Sequence, residues 1–290
     1  MLYDHRIAIY ILLDDILKTI EHKEAPGRKV NDALILTTVL LAVWYFGGNW
    51  ASACGYMKAH HCPKMLSKSG FNRRLHALTH CCQACFGLLG WVFKTRPPRQ
   101  EYVLDTFPVA VCHNIRIRQC RLLNREAYRG KNTSKREYFY GYKIALLIKA
   151  EGIRVELAFI PGSYAEQWAL KALDFDLPSG SVVWQDSGFT DYEWEDFYRE
   201  NEGIEFATQR KKNSQPGDDF PTYMAKKYNR KKVETAISEI TTRFPKRIHA
   251  VTSEGFQFKT FFFILAFFIL AFSILAFSIL AFSILKYFQT

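Results

Sequence analysis

Tyr102-Val103-Leu104-Asp105 and Val182-Val183-Trp184-Gln185-Asp186 decide the fold, because each is a short apolar run that closes on an aspartate. Runs of this length, rich in branched and aromatic residues, read as buried strands. An acid that closes a buried strand carries a desolvation penalty unless a cation or a set of hydrogen bonds offsets it. A third acid, Glu234, follows Arg230-Lys231-Lys232-Val233 on a basic helical stretch. Carboxylates delivered by two strand ends and one helix suit two Mg²⁺ ions about 4 Å apart, with Mn²⁺ able to substitute. Each acid alone has a plainer reading. Asp186 before Ser187-Gly188 suits a turn or a helix cap, and Glu234 suits an ion pair with Arg230 or Lys231. Their joint occurrence in strand, strand, helix order favours the metal site, with Asp174, Asp176 and Asp191 set aside.

Around these runs the rest of the chain takes its place. Lys94-Thr95-Arg96-Pro97-Pro98-Arg99-Gln100 combines charge with a proline pair that forbids a continuous helix, so it separates two domains. Residues 1–95 read as a small all-helical domain, with helices over Ile7 to Ile20, Ala33 to Phe46, Trp50 to His60 and Phe71 to Cys85. Asn31 or Asp32 caps the second, which is apolar on nearly all sides and belongs in the core. Past the linker, Tyr102 to Thr106, Tyr138 to Ile148 and Ile153 to Ile160 read as strands, the last two joined in a hairpin at Glu151-Gly152. A helix through Glu166 to Leu173, a strand Ser181 to Asp186, a helix Asp191 to Asn201, a strand Ile204 to Thr208 and a basic helix Tyr223 to Phe244 follow. The class is α/β (α+β).

A formal charge of +11 favours a polyanionic partner, and it is unevenly spread: Asn114 to Lys149 holds ten Lys or Arg against Glu126 and Glu137. Asn72, Arg73 and Arg74 open a helix and suit phosphates or base edges, although a solvated basic face is an equal alternative. Arg210, Lys211 and Lys212 are placed to hold a phosphate backbone, and Lys143 and Arg230 to balance charge around the acids. The seven cysteines are odd in number and irregularly spaced, which excludes a disulfide framework and favours a reducing cytoplasm. Cys82-x-x-Cys85 has zinc-ligand spacing beside His60, His61 and His80, but lacks a second matching pair, so buried thiols are the better reading. The N-terminus has no secretory signal pattern. No phosphate-cradling Gly-rich loop with its Lys and no Gly-x-Ser-x-Gly elbow occurs, which sets aside ATP binding and Ser-His-Asp hydrolysis.

Four ordered segments carry a family resemblance: Leu104 to Cys112, Tyr140-Gly141-Tyr142-Lys143, Gln185-Asp186-Ser187-Gly188-Phe189 and Arg230 to Glu234. They resemble the DDE transposases of bacterial insertion sequences, most of all the insertion-sequence 982 family, with Phe71-Asn72-Arg73-Arg74-Leu75 as an upstream element. The sequence departs from a related signature at Tyr228, one position too close to Arg230, and at Thr241, where a cation is usual.

The resemblance implies a ribonuclease H-like mixed sheet with flanking helices over 101–267, with Asp105, Asp186 and Glu234 as catalytic metal ligands. It also implies double-stranded DNA with terminal inverted repeats and a target DNA as partners, a homodimer on paired ends, and a place in the bacterial cytoplasm at the nucleoid. An inactive DNA-binding remnant is the alternative of another class.

From Phe262 the chain repeats the pentad Phe-Phe/Ser-Ile-Leu-Ala, and Phe261 to Leu285 carries no charge. That is long enough to span a bilayer, which takes about 20 apolar residues. A single-span protein anchored by its C-terminus is therefore a further alternative. The resemblance instead makes the first pentad part of a final core helix of the catalytic domain and 268–290 an expansion, with a membrane partner disfavoured.

Overall fold

The computed structural model describes residues 2–95, 100–113, 119–132, 136–210, 217–243, 245 and 248–269. The chain divides into a helical unit, residues 1–88 with 243–246 and those from 258, and a sheet unit, 89–242 with 247–257.

The helical unit is built around α2 (Asp32–Tyr45), whose residues from Asp32 to Val43 are buried apart from Leu34. Asn31, not Asp32, is its cap: the Asn31 side chain accepts the Leu34 N–H at 3.0 Å. Asp32 is instead fully buried and gathers basic side chains. Its carboxylate meets Arg28 at 2.7 Å, Arg74 at 2.6 Å and His22 at 2.9 Å. The helix ends at Gly47 and Gly48, both at positive φ, and the Gly48 N–H returns to the Ala42 carbonyl. Around it stand α1 (Leu2–Thr19), α3 (Trp50–His60), α4 (Lys68–Ala77) and the first part of α5 (Thr79–Thr95).

The single helix expected over Phe71 to Cys85 is two helices. The Leu78 N–H bonds back to Leu75 in a tighter turn, and the Thr79 hydroxyl takes the His76 carbonyl, so the ladder breaks without Gly or Pro. Cys82 and Cys85 lie buried on α5, where burial pushes the Cys85 thiol up to about 12 and Cys82 well above its usual value. They are core thiols.

A last helix, α9 (253–269), is divided between the two units. From Phe258 on it belongs to the helical unit. Phe258 stacks on His76, Phe262 meets Trp50 edge-on, Phe261 and Phe268 flank Phe86, and the Trp44 indole donates to the Ala266 carbonyl at 3.0 Å. Residues Phe262 to Ile269 are all buried, as an all-round apolar pentad requires. The rest of the repeat lies outside the described residues. Among the described residues no single helix is long and apolar enough to cross a membrane, and the apolar pair α2 and α3 reaches such a length only across a 116° bend.

The sheet unit holds six strands: β1 (Glu101–His113), β2 (Arg129–Asn132), β3 (Glu137–Lys149), β4 (Arg154–Pro161), β5 (Val182–Gln185) and β6 (Glu205–Thr208). β3 pairs antiparallel with β1 and carries both β2 and β4 on its other edge. β5 joins the other side of β1 in parallel, and β6 joins β5 in parallel. With flanking helices this is the mixed sheet of a ribonuclease H-like fold. The hairpin falls where expected, with Gly152 at φ +86°. β2, in the basic stretch, was not foreseen.

Three helices flank the sheet: α6 (Trp168–Ala172), shorter than expected, α7 (Tyr192–Asn201) and α8 (Phe220–Arg243). The last turn of α5 docks on the sheet. Its carbonyls at Phe93 and Lys94 accept from Lys149 and Tyr102, each at 2.9 Å, and Gly90 lies directly against the Val155 carbonyl, where a Cβ would collide.

Helix α8 spans the sheet. Lys226 donates to the Thr208 carbonyl at the end of β6, and Glu239 holds Arg154 at the start of β4. Thirteen residues separate these contacts, roughly 20 Å of helix, which matches four strand spacings of about 4.8 Å.

Asp32→Ala removes the carboxylate shared by Arg28, Arg74 and His22. It is expected to lower the unfolding free energy by about 3–5 kcal/mol. Thermal melting of the full chain checks this, and an unchanged melting temperature would make the cluster energetically idle.

Candidate active site

Sheet register brings two of the expected acids together. The last parallel pair between β1 and β5 is Leu104 with Gln185, so Asp105 and Asp186 are the next residues on adjacent strands. Both line one pocket with Val103, Leu104, Trp184, Gln185, Gln209 and Lys226.

Asp105 does not end its strand, as the sequence suggested. β1 runs on to His113 along β3, with a bulge between Ala110 and Cys112, while its β5 partner stops at Gln185. Asp105 therefore sits where β1 becomes an edge, which also explains how Pro108 is tolerated there. Asp186 does end its strand and caps the short turn Ser187–Phe189.

The two aspartates are held alike. One oxygen of Asp105 accepts the Thr106 N–H and one oxygen of Asp186 accepts the Ser187 N–H, both at 2.7 Å. Each carboxylate is thereby oriented by the backbone of the residue that follows it. Beneath the pocket a buried chain of hydrogen bonds ties β5, β6 and α7: the Gln185 amide donates to Thr208, and Thr208 donates to Glu195. Arg210 closes it, its guanidinium forked on Glu195 at 3.2 and 2.5 Å and lying 4.6 Å from the Tyr192 ring centroid.

The remaining candidates lie apart from this pair. Glu234 is exposed on α8 and does not line the pocket; it lies eight residues beyond Lys226, roughly 12 Å along the axis. Lys143 lies on β3 and donates to the Tyr164 carbonyl at 2.8 Å. Arg74 is turned onto Asp32, whereas Arg73 beside it is exposed. Asn72 is half-buried. Lys211 and Lys212 lie outside the described residues, as does the side chain of Arg230.

Lys226 was missed. It lines the acid pocket, with its ammonium on Asp218 at 2.6 Å and on the Thr208 carbonyl at 2.7 Å. One lysine among many on a basic helix gives no sequence signal of its own.

The donors present fit a hard divalent cation. Mg²⁺ is ordinarily held by one or two carboxylates together with waters and substrate phosphates, and the paired aspartates supply two oxygen ligands from neighbouring backbones. Among the described residues no three His, Cys, Asp or Glu side chains form a metal-holding group by themselves.

No curated protein and no solved structure matches the chain. Residues 98–243, half of its length, match the family described as transposase DDE domain. That span contains the whole sheet together with Asp105, Asp186 and Glu234, and on this match the chain belongs to the DDE transposases.

Proposed function

We propose that this chain is the transposase of a bacterial insertion sequence, nearest to the insertion-sequence 982 family. It would cut double-stranded DNA at the terminal inverted repeats of its element and join the freed 3′-hydroxyl to target DNA, working as a homodimer on paired ends. The observation that carries this reading is the juxtaposition of Asp105 and Asp186 at the point where β1 loses its β5 partner.

In this reading Asp105 and Asp186 hold two Mg²⁺ ions, with Glu234 as third ligand. Bound there, divalent ions supply Lewis-acid charge to the attacking and leaving oxygens of an in-line phosphoryl transfer. The chain's own part is placement. The Thr106 and Ser187 amides fix the orientation of the two aspartates. α8, held at one end by Lys226 and at the other by Glu239, carries Glu234 along the sheet to about the level of β1, two to three strand spacings from β6. Arg73, Asn72, Lys143, Lys211, Lys212 and Arg230 belong to the DNA-binding surface in this reading, while Arg74 and Arg210 serve it indirectly by pairing with Asp32 and Glu195.

Asp105→Ala, Asp186→Ala and Glu234→Ala are each expected to abolish Mg²⁺-dependent cleavage of a duplex bearing the element's end, with binding still measurable in gel shifts. Asp191→Ala, which removes only the cap of α7, keeps cleavage at a cost of about 1 kcal/mol in stability. Full cleavage by an aspartate variant would remove that residue from the site.

The neighbouring arginines separate by assay. Arg73→Ala lowers the slope of log affinity against log salt by about one unit without changing the melting temperature. Arg74→Ala lowers the melting temperature because it leaves Asp32 short of a partner. The reverse pattern would place Arg74 on DNA and Arg73 in the solvated surface.

A further inference from the structure

Glu166 lies in the turn between β4 and α6, far in sequence from both aspartates, yet it touches the residues that follow each of them. The Thr106 hydroxyl donates to its Oε1 at 3.3 Å, and Thr106 is the residue whose amide holds Asp105. Its Oε2 occupies the place where a Cβ on Gly188 would stand, and its carboxyl carbon would be only 3.2 Å from that Cβ. Gly188 directly follows Ser187, whose amide holds Asp186. Gly188 is not in the left-handed region. Backbone conformation therefore does not bar a side chain there, but one could enter only by moving the end of Glu166.

We infer that Glu166 is a positioning residue of the acid pair: braced between Thr106 and Gly188, it fixes the separation of the two strand ends that carry Asp105 and Asp186. The inference rests on the proposed metal site. A carboxylate shared by two neighbouring turns couples them, so that a change in either would be felt at both aspartates. Outer partners of this kind set metal affinity by orienting the ligands, and their loss typically weakens binding about 10–100-fold.

Mn²⁺ titration of the full chain by calorimetry tests it, beside cleavage. Glu166→Ala is expected to weaken Mn²⁺ binding at least about tenfold. Glu166→Gln keeps an oxygen for the Thr106 hydroxyl and much the same volume, and so retains most of the affinity. Gly188→Ala displaces the flexible end of the Glu166 side chain and reproduces the loss. The double variant Glu166→Ala, Gly188→Ala is no weaker than either single one, since both act through the same contact.

Unchanged Mn²⁺ affinity in Glu166→Ala would overturn the inference, as would losses that multiply in the double variant. Glu166→Gln falling as far as Glu166→Ala would also overturn it, because charge and not position would then be what matters. Absence of Mn²⁺ binding by the wild-type chain, or its persistence in Asp105→Ala, would bring down the metal-site reading first and this inference with it.

Discussion

Everything at the candidate site depends on the short parallel pairing of β1 with β5. Four residue pairs, Glu101 with Val182 through Leu104 with Gln185, fix the register. A slip of one residue would send Asp105 or Asp186 to the opposite face from its partner, because side chains alternate along a strand. Parallel strands cannot be joined by a tight turn, and the crossover here takes in β2, β3, β4 and α6 before the chain returns. The network of Gln185, Thr208, Glu195 and Arg210 then locks β5 to β6 and α7 from below.

The two strand-borne aspartates were legible in the sequence because each follows a buried apolar run, where a carboxylate needs hydrogen bonds or a cation. Asp105 and Asp186 announced themselves this way, and the hairpin at Glu151-Gly152 showed in its glycine. Other features are decided by contacts distant in sequence. The extension of β1 past Asp105 depends on β3, and Gly141 in β3 permits it by letting the Val109 carbonyl come close. Pro108 alone would have argued against a strand there. Glu166 sits in an unremarkable turn, and only the folded chain sets it beside Gly188.

The helical unit shows the same division. Its apolar α2 could be read directly as core, and a cap at Asn31 or Asp32 could be foreseen. Which of the two would cap could not, because it depends on Arg74, 42 residues away, reaching Asp32. That contact assigns the neighbouring arginines different work: Arg74 holds the unit together and Arg73 is left for solvent or a ligand. A basic element read only as charge would treat them as equivalent. The break between α4 and α5 has no Gly or Pro to mark it, since it is made by a hydroxyl and one shortened turn.

The pentads of α9 have a genetic consequence. The described contacts of this helix, from His76 with Phe258 to Phe86 with Phe268, are completed within the first two pentads. The copies that read Phe-Ser-Ile-Leu begin at Phe272, beyond all of them. A gain or loss of one such copy in the gene would be an in-frame change of five codons that leaves every residue of those described contacts in the sequence. Replication slippage in this tract would therefore change the length of the protein between otherwise identical elements while keeping the reading frame and the residues of those contacts.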